Sequence, residues 1–157
     1  MAEEGFGGPA VCRIVGITYR QLDYWARTDL LRPSIADARG SGTQRRYSYR
    51  DLVTLKVIKK LLDAGISLKS VRQAIGYLRE HLGEDVASAN LVINGGSVLL
   101  ARSDGELIDL VRTGQGVLNI LPLGTVREEL DADILRVFPQ RRAAEGGGPR
   151  RAGAGGR

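Results

Sequence analysis

The stretch PAVCRIVGITYRQLDYWARTDLL, from Pro9 to Leu31, reads as two short helices joined by a glycine turn. In the first, Val11, Ile14 and Val15 recur at helical spacing, so one face is apolar and must pack against something. Gly16 supplies the turn. Thr18 and Gln21 then form a capping-box pattern, in which the Thr18 hydroxyl accepts from the backbone N–H of Gln21 and the Gln21 side chain reaches back. A new helix is therefore expected from about Tyr19. Leu22, Trp25 and Ala26 can face inward while Arg20, Gln21, Tyr24 and Arg27 stay outside. Thr18, Tyr19, Arg20 and Gln21 lie at the first turn, the part of such a helix that meets base edges in a helix-turn-helix. The plainer alternative is a helical pair with a solvated basic face.

The residues that follow favour the DNA-binding reading. Leu30-Leu31-Arg32-Pro33 ends the second helix, and a small, polar stretch leads through Gly40-Ser41-Gly42 to Gln44-Arg45-Arg46-Tyr47. This suits a hairpin wing with glycine at the bend and basic side chains near the tip. Ser48, with Asp51 three residues later, caps a third helix whose buried face is Leu52, Leu55, Ile58, Leu61 and Leu62, and Gly65 closes it. A fourth helix carries Leu68, Val71, Ile75, Leu78 and Leu82, a stripe assigned to the core of this unit rather than to a coiled coil.

This order resembles the winged helix-turn-helix of the MerR family of transcription regulators from about Val11 to Leu82. The matches are Gly16-Ile17-Thr18 at the turn, Arg20 and Leu22 in the recognition helix, the adjacent aromatics Tyr24-Trp25, Leu30-Leu31-Arg32-Pro33 at the helix end, Arg45 and Tyr47 in the wing, and Asp51-Leu52 and Gly65-Ile66-Ser67-Leu68 beyond it. Asp23 is a departure, since the family often has a basic residue directly before the aromatic pair. The resemblance implies double-stranded DNA as partner, Thr18, Tyr19, Arg20, Gln21, Tyr24, Arg27, Arg45, Arg46 and Tyr47 as DNA-binding residues, and action with RNA polymerase at a promoter. The family's long antiparallel dimerisation helix is not supported, because Gly83 and Ala87-Ser88-Ala89-Asn90 interrupt it.

Charge divides the chain. Residues 1–82 hold 14 Lys and Arg against 8 Asp and Glu, residues 83–138 hold 4 against 9, and residues 139–157 hold 5 against 1. The first half and the tail suit a phosphate backbone; the acidic middle does not. In the middle, Leu91-Val92-Ile93 and Ser97 to Ala101 flank Asn94-Gly95-Gly96 as a hairpin, Ser103 with Glu106 opens a helix, Val117 to Leu123 reads as a strand, and Thr125 with Glu128 opens a last helix. The expectation is an α+β chain: a winged helix-turn-helix over 9–82, then a ββαβα unit over 89–138 serving dimerisation or effector sensing. Residues 1–8 and 139–157 are expected to be disordered. A unit of about 50 residues needs apolar contact with a second copy or with the first domain.

An enzyme is not expected. The chain has one histidine and one cysteine. His81 sits at a helix end as a structural residue, and Cys12 lies on a packing helix. No phosphate loop, nucleophile elbow or metal spacing occurs, so no metal or cofactor is expected. Glu128, Glu129, Asp131 and Asp133 read as solvated acids of a helix start. Without a signal peptide or spanning segment the chain is expected in the cytoplasm, away from membranes. The expected function is a sequence-specific regulator binding an inverted repeat as a homodimer. The rival is an architectural DNA-binding protein resembling a recombination directionality factor.

Overall fold

The computed structural model describes residues 5–36, 45–80, 89–94, 97–101, 103, 105–106 and 119–140. Helix α1 (Gly8–Val15) opens with Pro9 in its first turn, where the missing N–H is harmless. It ends at Gly16, whose φ of 85° places it in the left-handed region that glycine reaches without strain. Helix α2 (Tyr19–Arg27) follows with the full capping box: the Gln21 N–H donates to Thr18 Oγ1 at 3.0 Å, and the Thr18 N–H donates to Gln21 Oε1 at 3.0 Å. Helix α3 (Tyr49–Asp63) repeats the device with Ser48 and Asp51, and α4 (Leu68–Glu80) completes the first half.

Residues 5–8 correct the expectation of a disordered leader. Phe6–Gly7 form strand β1, antiparallel to β2 (Arg46–Tyr47) with Phe6 opposite Tyr47. Phe6 is buried, and its ring lies 6.4 Å from that of Phe138, so apolar contact orders the segment. Ala36 bridges Arg46 from the other side. These pairings form the stem of a hairpin; its tip, expected around Gly40-Ser41-Gly42, lies outside the described residues.

In the second half β3 (Asn90–Asn94) and β4 (Ser97–Ala101) pair antiparallel with Asn94 opposite Ser97, as expected of a hairpin; Gly95 and Gly96 lie outside the described residues. Strand β5 (Asn119–Pro122) pairs with the other side of β3, giving the order β4-β3-β5. The Glu106 N–H donates to Ser103 Oγ at 3.1 Å as the expected cap, but most of that helix lies outside the described residues. The last helix, α5 (Leu123–Val137), begins before the expected Thr125 and without a side-chain cap. Its start is fixed by packing: Leu123 and Val126 are buried, and the Leu123 N–H donates to Ala89 O at 2.9 Å.

Helix α5 lies against α1 and α3, and β4 lies against α4. Leu91, Ile93, Leu100, Leu123, Val126, Leu130 and Ile134 thereby join Val11, Ile14, Leu22, Leu55 and Ile75 in a continuous hydrophobic core. Apolar contact with the first half is thus part of this chain's own fold. Val71, Ile75 and Leu78 of the α4 stripe are buried in that core; Leu82 and His81 lie outside the described residues. No described helix is long and apolar enough to cross a membrane.

Candidate nucleic-acid interface

Helix α2 presents two chemically distinct faces because its apolar residues fall at Leu22, Trp25 and Ala26. All three are buried, anchoring the helix by about 1.5–3 kcal/mol for each large side chain. The opposite face carries Tyr19 and Tyr24, 57% and 45% exposed, with Arg20, Gln21 and Arg27 also exposed. Large exposed aromatics beside exposed cations are costly on a surface meant only for water, but they suit stacking and hydrogen bonding to a polyanion. Thr18 and the Gln21 oxygen are spent on the cap.

Helix α2 is also held rigidly at its far end. The Leu30 N–H donates to Trp25 O at 2.9 Å and the Asp29 N–H to Ala26 O at 3.3 Å, a Schellman closure in which Asp29 takes φ 67°. Arginines meet the exposed carbonyls. Arg32 Nη1 donates to Ala26 O at 3.2 Å, Arg72 Nη1 to Thr28 O at 3.3 Å, and Arg79 Nη2 to Leu30 O at 2.6 Å. Cations at a helix C-terminus complement its dipole, so the basic residues of α4 serve the position of α2.

Of the expected wing residues, Arg46 is half-buried, with its Nη2 donating to Gly5 O at 3.2 Å. Arg45 does not lie on the open face: its side chain is only 13% exposed, and its Nη1 donates to Asp23 Oδ1 at 2.8 Å. Tyr47 is a correction. It is fully buried in the core, because its strand pairs with β1 and turns the ring inward, so it supports the stem instead of meeting a ligand.

The sequence reading missed what Asp23 does. Its carboxylate accepts from Arg45 and, through Oδ2, from Arg27 Nε at 2.9 Å. These two hydrogen bonds, Arg45's first, hold its carboxyl below the usual aspartate range. An acid that would repel phosphate when isolated is thus neutralised and ties the hairpin stem to α2. A second clamp is Asp51. Buried, its Oδ2 accepts from Ser34 N–H at 2.8 Å, Ser34 Oγ at 2.8 Å and Ser48 N–H at 2.9 Å, fixing the chain after α2 to the start of α3. Arg50, exposed at the first turn of α3, lines a groove of about 550 Å³ with Asp29 and Arg32. It is a further cation that no local pattern singled out.

Among the described residues no cluster of His, Cys, Asp and Glu could hold a metal ion. Three acids of α5 are engaged elsewhere: Lys56 Nζ lies 2.9 Å from Asp133 Oδ2, Lys60 Nζ 2.7 Å from Glu129 Oε1, and Tyr49 Oη donates to Asp131 Oδ1 at 2.6 Å. They join α5 to α3. Cys12 is half-buried, and burial pushes its thiol up, away from the reactive thiolate.

Residues 9–78 match the family described as MerR HTH family regulatory protein. The chain is also 50% identical over 124 residues to proteins described as uncharacterized HTH-type transcriptional regulators from Mycobacterium bovis and Mycobacterium tuberculosis, an alignment covering 79% of this chain and 55% of each relative. The chain thus spans about half the length of the curated relatives it matches. The capped helix pair, its outward basic and aromatic face and the family match over the same residues agree: residues 9–78 of this chain are similar to the MerR family of helix-turn-helix regulators.

Proposed function

We propose that this chain is a DNA-binding transcriptional regulator that reads the half-sites of an inverted repeat as a dimer. The observation that carries this reading is the outward face of α2, where Tyr19, Arg20, Tyr24 and Arg27 stand exposed over an anchor of buried Leu22 and Trp25. In this reading the face enters a major groove, and the strand that carries Arg46 lies beside the flanking backbone. A module of this size makes few base contacts, so useful specificity requires two copies. Dimerisation falls to the second half: Leu99 and Ile120, 45% and 40% exposed, flank Val92 in one cross-strand row. Of the α4 stripe, Val71, Ile75 and Leu78 are buried in the core of the chain itself. Contact with RNA polymerase at a promoter is what the resemblance to the family adds.

Selection of bound sequences from random DNA tests the reading. An inverted repeat with fixed spacing supports the dimeric regulator; an unspaced, degenerate preference would replace it by the architectural alternative. Arg20→Ala should weaken binding by roughly 1–3 kcal/mol if the side chain pairs with a guanine, and relax preference at one position per half-site. A uniform loss across all sequences would reduce Arg20 to a phosphate contact.

A further inference from the structure

Arg27 stands one helical turn beyond Asp23, so its side chain folds back along the outward face of α2. Its Nε donates to Asp23 Oδ2 at 2.9 Å while the side chain stays 64% exposed. That single bond sets the plane of the guanidinium. The two terminal nitrogens then present parallel N–H groups away from the carboxylate, and among the described residues they meet no other hydrogen-bond or ion-pair partner. Asp23 cannot swing aside, because its other oxygen accepts from Arg45 at 2.8 Å and that arginine is 13% exposed. A sheltered cation therefore fixes an anion, and the anion aims an exposed cation.

We propose that Arg27 reads a guanine in the major groove and that Asp23 is its positioning residue. Guanine offers O6 and N7 as a pair of acceptors matching the outward edge of a guanidinium. Arg20 has the same chemistry without a partner among the described residues, so it must order a flexible side chain on contact; Arg27 is ordered beforehand. The arrangement also gives the carboxylate on this face a use: the triad of Arg45, Asp23 and Arg27 carries net positive charge, and its acid is turned toward the arginines.

The inference rests on α2 entering a major groove, and the experiment separates the two. The full chain selects its site from random DNA. Each guanine of that site is then replaced in turn by 7-deazaguanine, which lacks N7, or by inosine, which keeps O6 and N7, and affinity is read by fluorescence anisotropy. One guanine per half-site should lose about tenfold on 7-deaza replacement and little with inosine. Arg27→Lys, which keeps the charge but not the fork, should abolish that penalty at that base alone while other preferences persist. Asp23→Asn should shrink the same penalty severalfold. The inference is overturned if the penalty survives Arg27→Lys, if Asp23→Asn leaves it unchanged, or if no guanine shows it. Failure of the wild-type chain to select any sequence would instead overturn the DNA-reading function itself, and this inference with it.

Discussion

Asp29 takes a left-handed backbone conformation, φ 67°, at the position after the α2 cap where glycine is usual. The conformation costs an ordinary side chain roughly 1–2 kcal/mol, and the extra freedom of an unfolded glycine returns about 0.5–1 kcal/mol of that. The Asp29–Arg32 pair, 3.7 Å apart with side chains 75% and 54% exposed, adds little to hold the aspartate in place. Asp29→Gly should therefore raise stability by about 0.5–1 kcal/mol, whereas Asp29→Ala should lower it. A fall in melting temperature for the glycine variant would show that the carboxylate contributes more than the backbone costs. Asp23 makes a pH-dependent contribution at the same scale. Hydrogen bonds from Arg45 and then Arg27 hold its carboxyl below the ordinary value of 3.8, so its stabilisation is present above that value and disappears as pH falls through the folded one. Urea midpoints measured from about pH 5 downward should drop faster for the wild type than for Asp23→Asn. Parallel curves would mean the triad adds nothing to the fold.

Between elements, ion pairs add to the apolar contact of α3 with α5. Helix α3 places Lys56 and Lys60 against Glu129 and Asp133 of α5, and Lys56 is only 13% exposed there. Removing a sheltered partner leaves Asp133 with less water to replace it, so Lys56→Ala should cost about 1–3 kcal/mol. Lys59 pairs with Asp63 one turn along the same helix at 2.8 Å, in the open. Its alanine variant should change stability by no more than about 0.5 kcal/mol. Chemical denaturation of both variants checks the contrast, and equal losses would mean that the α3–α5 ion pairs hold nothing. The same reasoning explains why a basic first half and an acidic middle share one chain: part of that opposition is spent between α3 and α5.

Across the whole molecule, the two halves stand or fall together. Leu130 of α5 is fully buried in the core that also holds Val11, Leu55 and Trp25. Leu130→Ala should cost about 2–5 kcal/mol and should lower the unfolding midpoint reported by Trp25 fluorescence as much as that reported by far-ultraviolet dichroism. Trp25 is the chain's only tryptophan and sits in α2, so it reports on the reading helix directly. An unchanged Trp25 transition would show the halves melting independently. A chain cut after residue 82 would strip α5 from α1 and α3, exposing the apolar faces beneath the reading helix along with removing the proposed dimer surface.

What could be read from the residues alone was local. Thr18 with Gln21, Ser48 with Asp51, the Gly16 turn and the hairpin at Asn94-Gly95-Gly96 all involve partners a few positions apart, where backbone geometry leaves few alternatives, and the inward anchors Leu22 and Trp25 follow from helical period. Tertiary structure decided the rest. Asp23 finds Arg45 across 22 residues, Thr28 finds Arg72 across 44, and Asp133 finds Lys56 across 77. A charged residue on an amphipathic helix looks the same in sequence whether it faces water or a distant partner, and only the folded chain distinguishes them. The burial of Tyr47 and the ordering of Phe6 have the same origin, since each two-residue strand is too short to announce itself and exists because the other is there to pair with it.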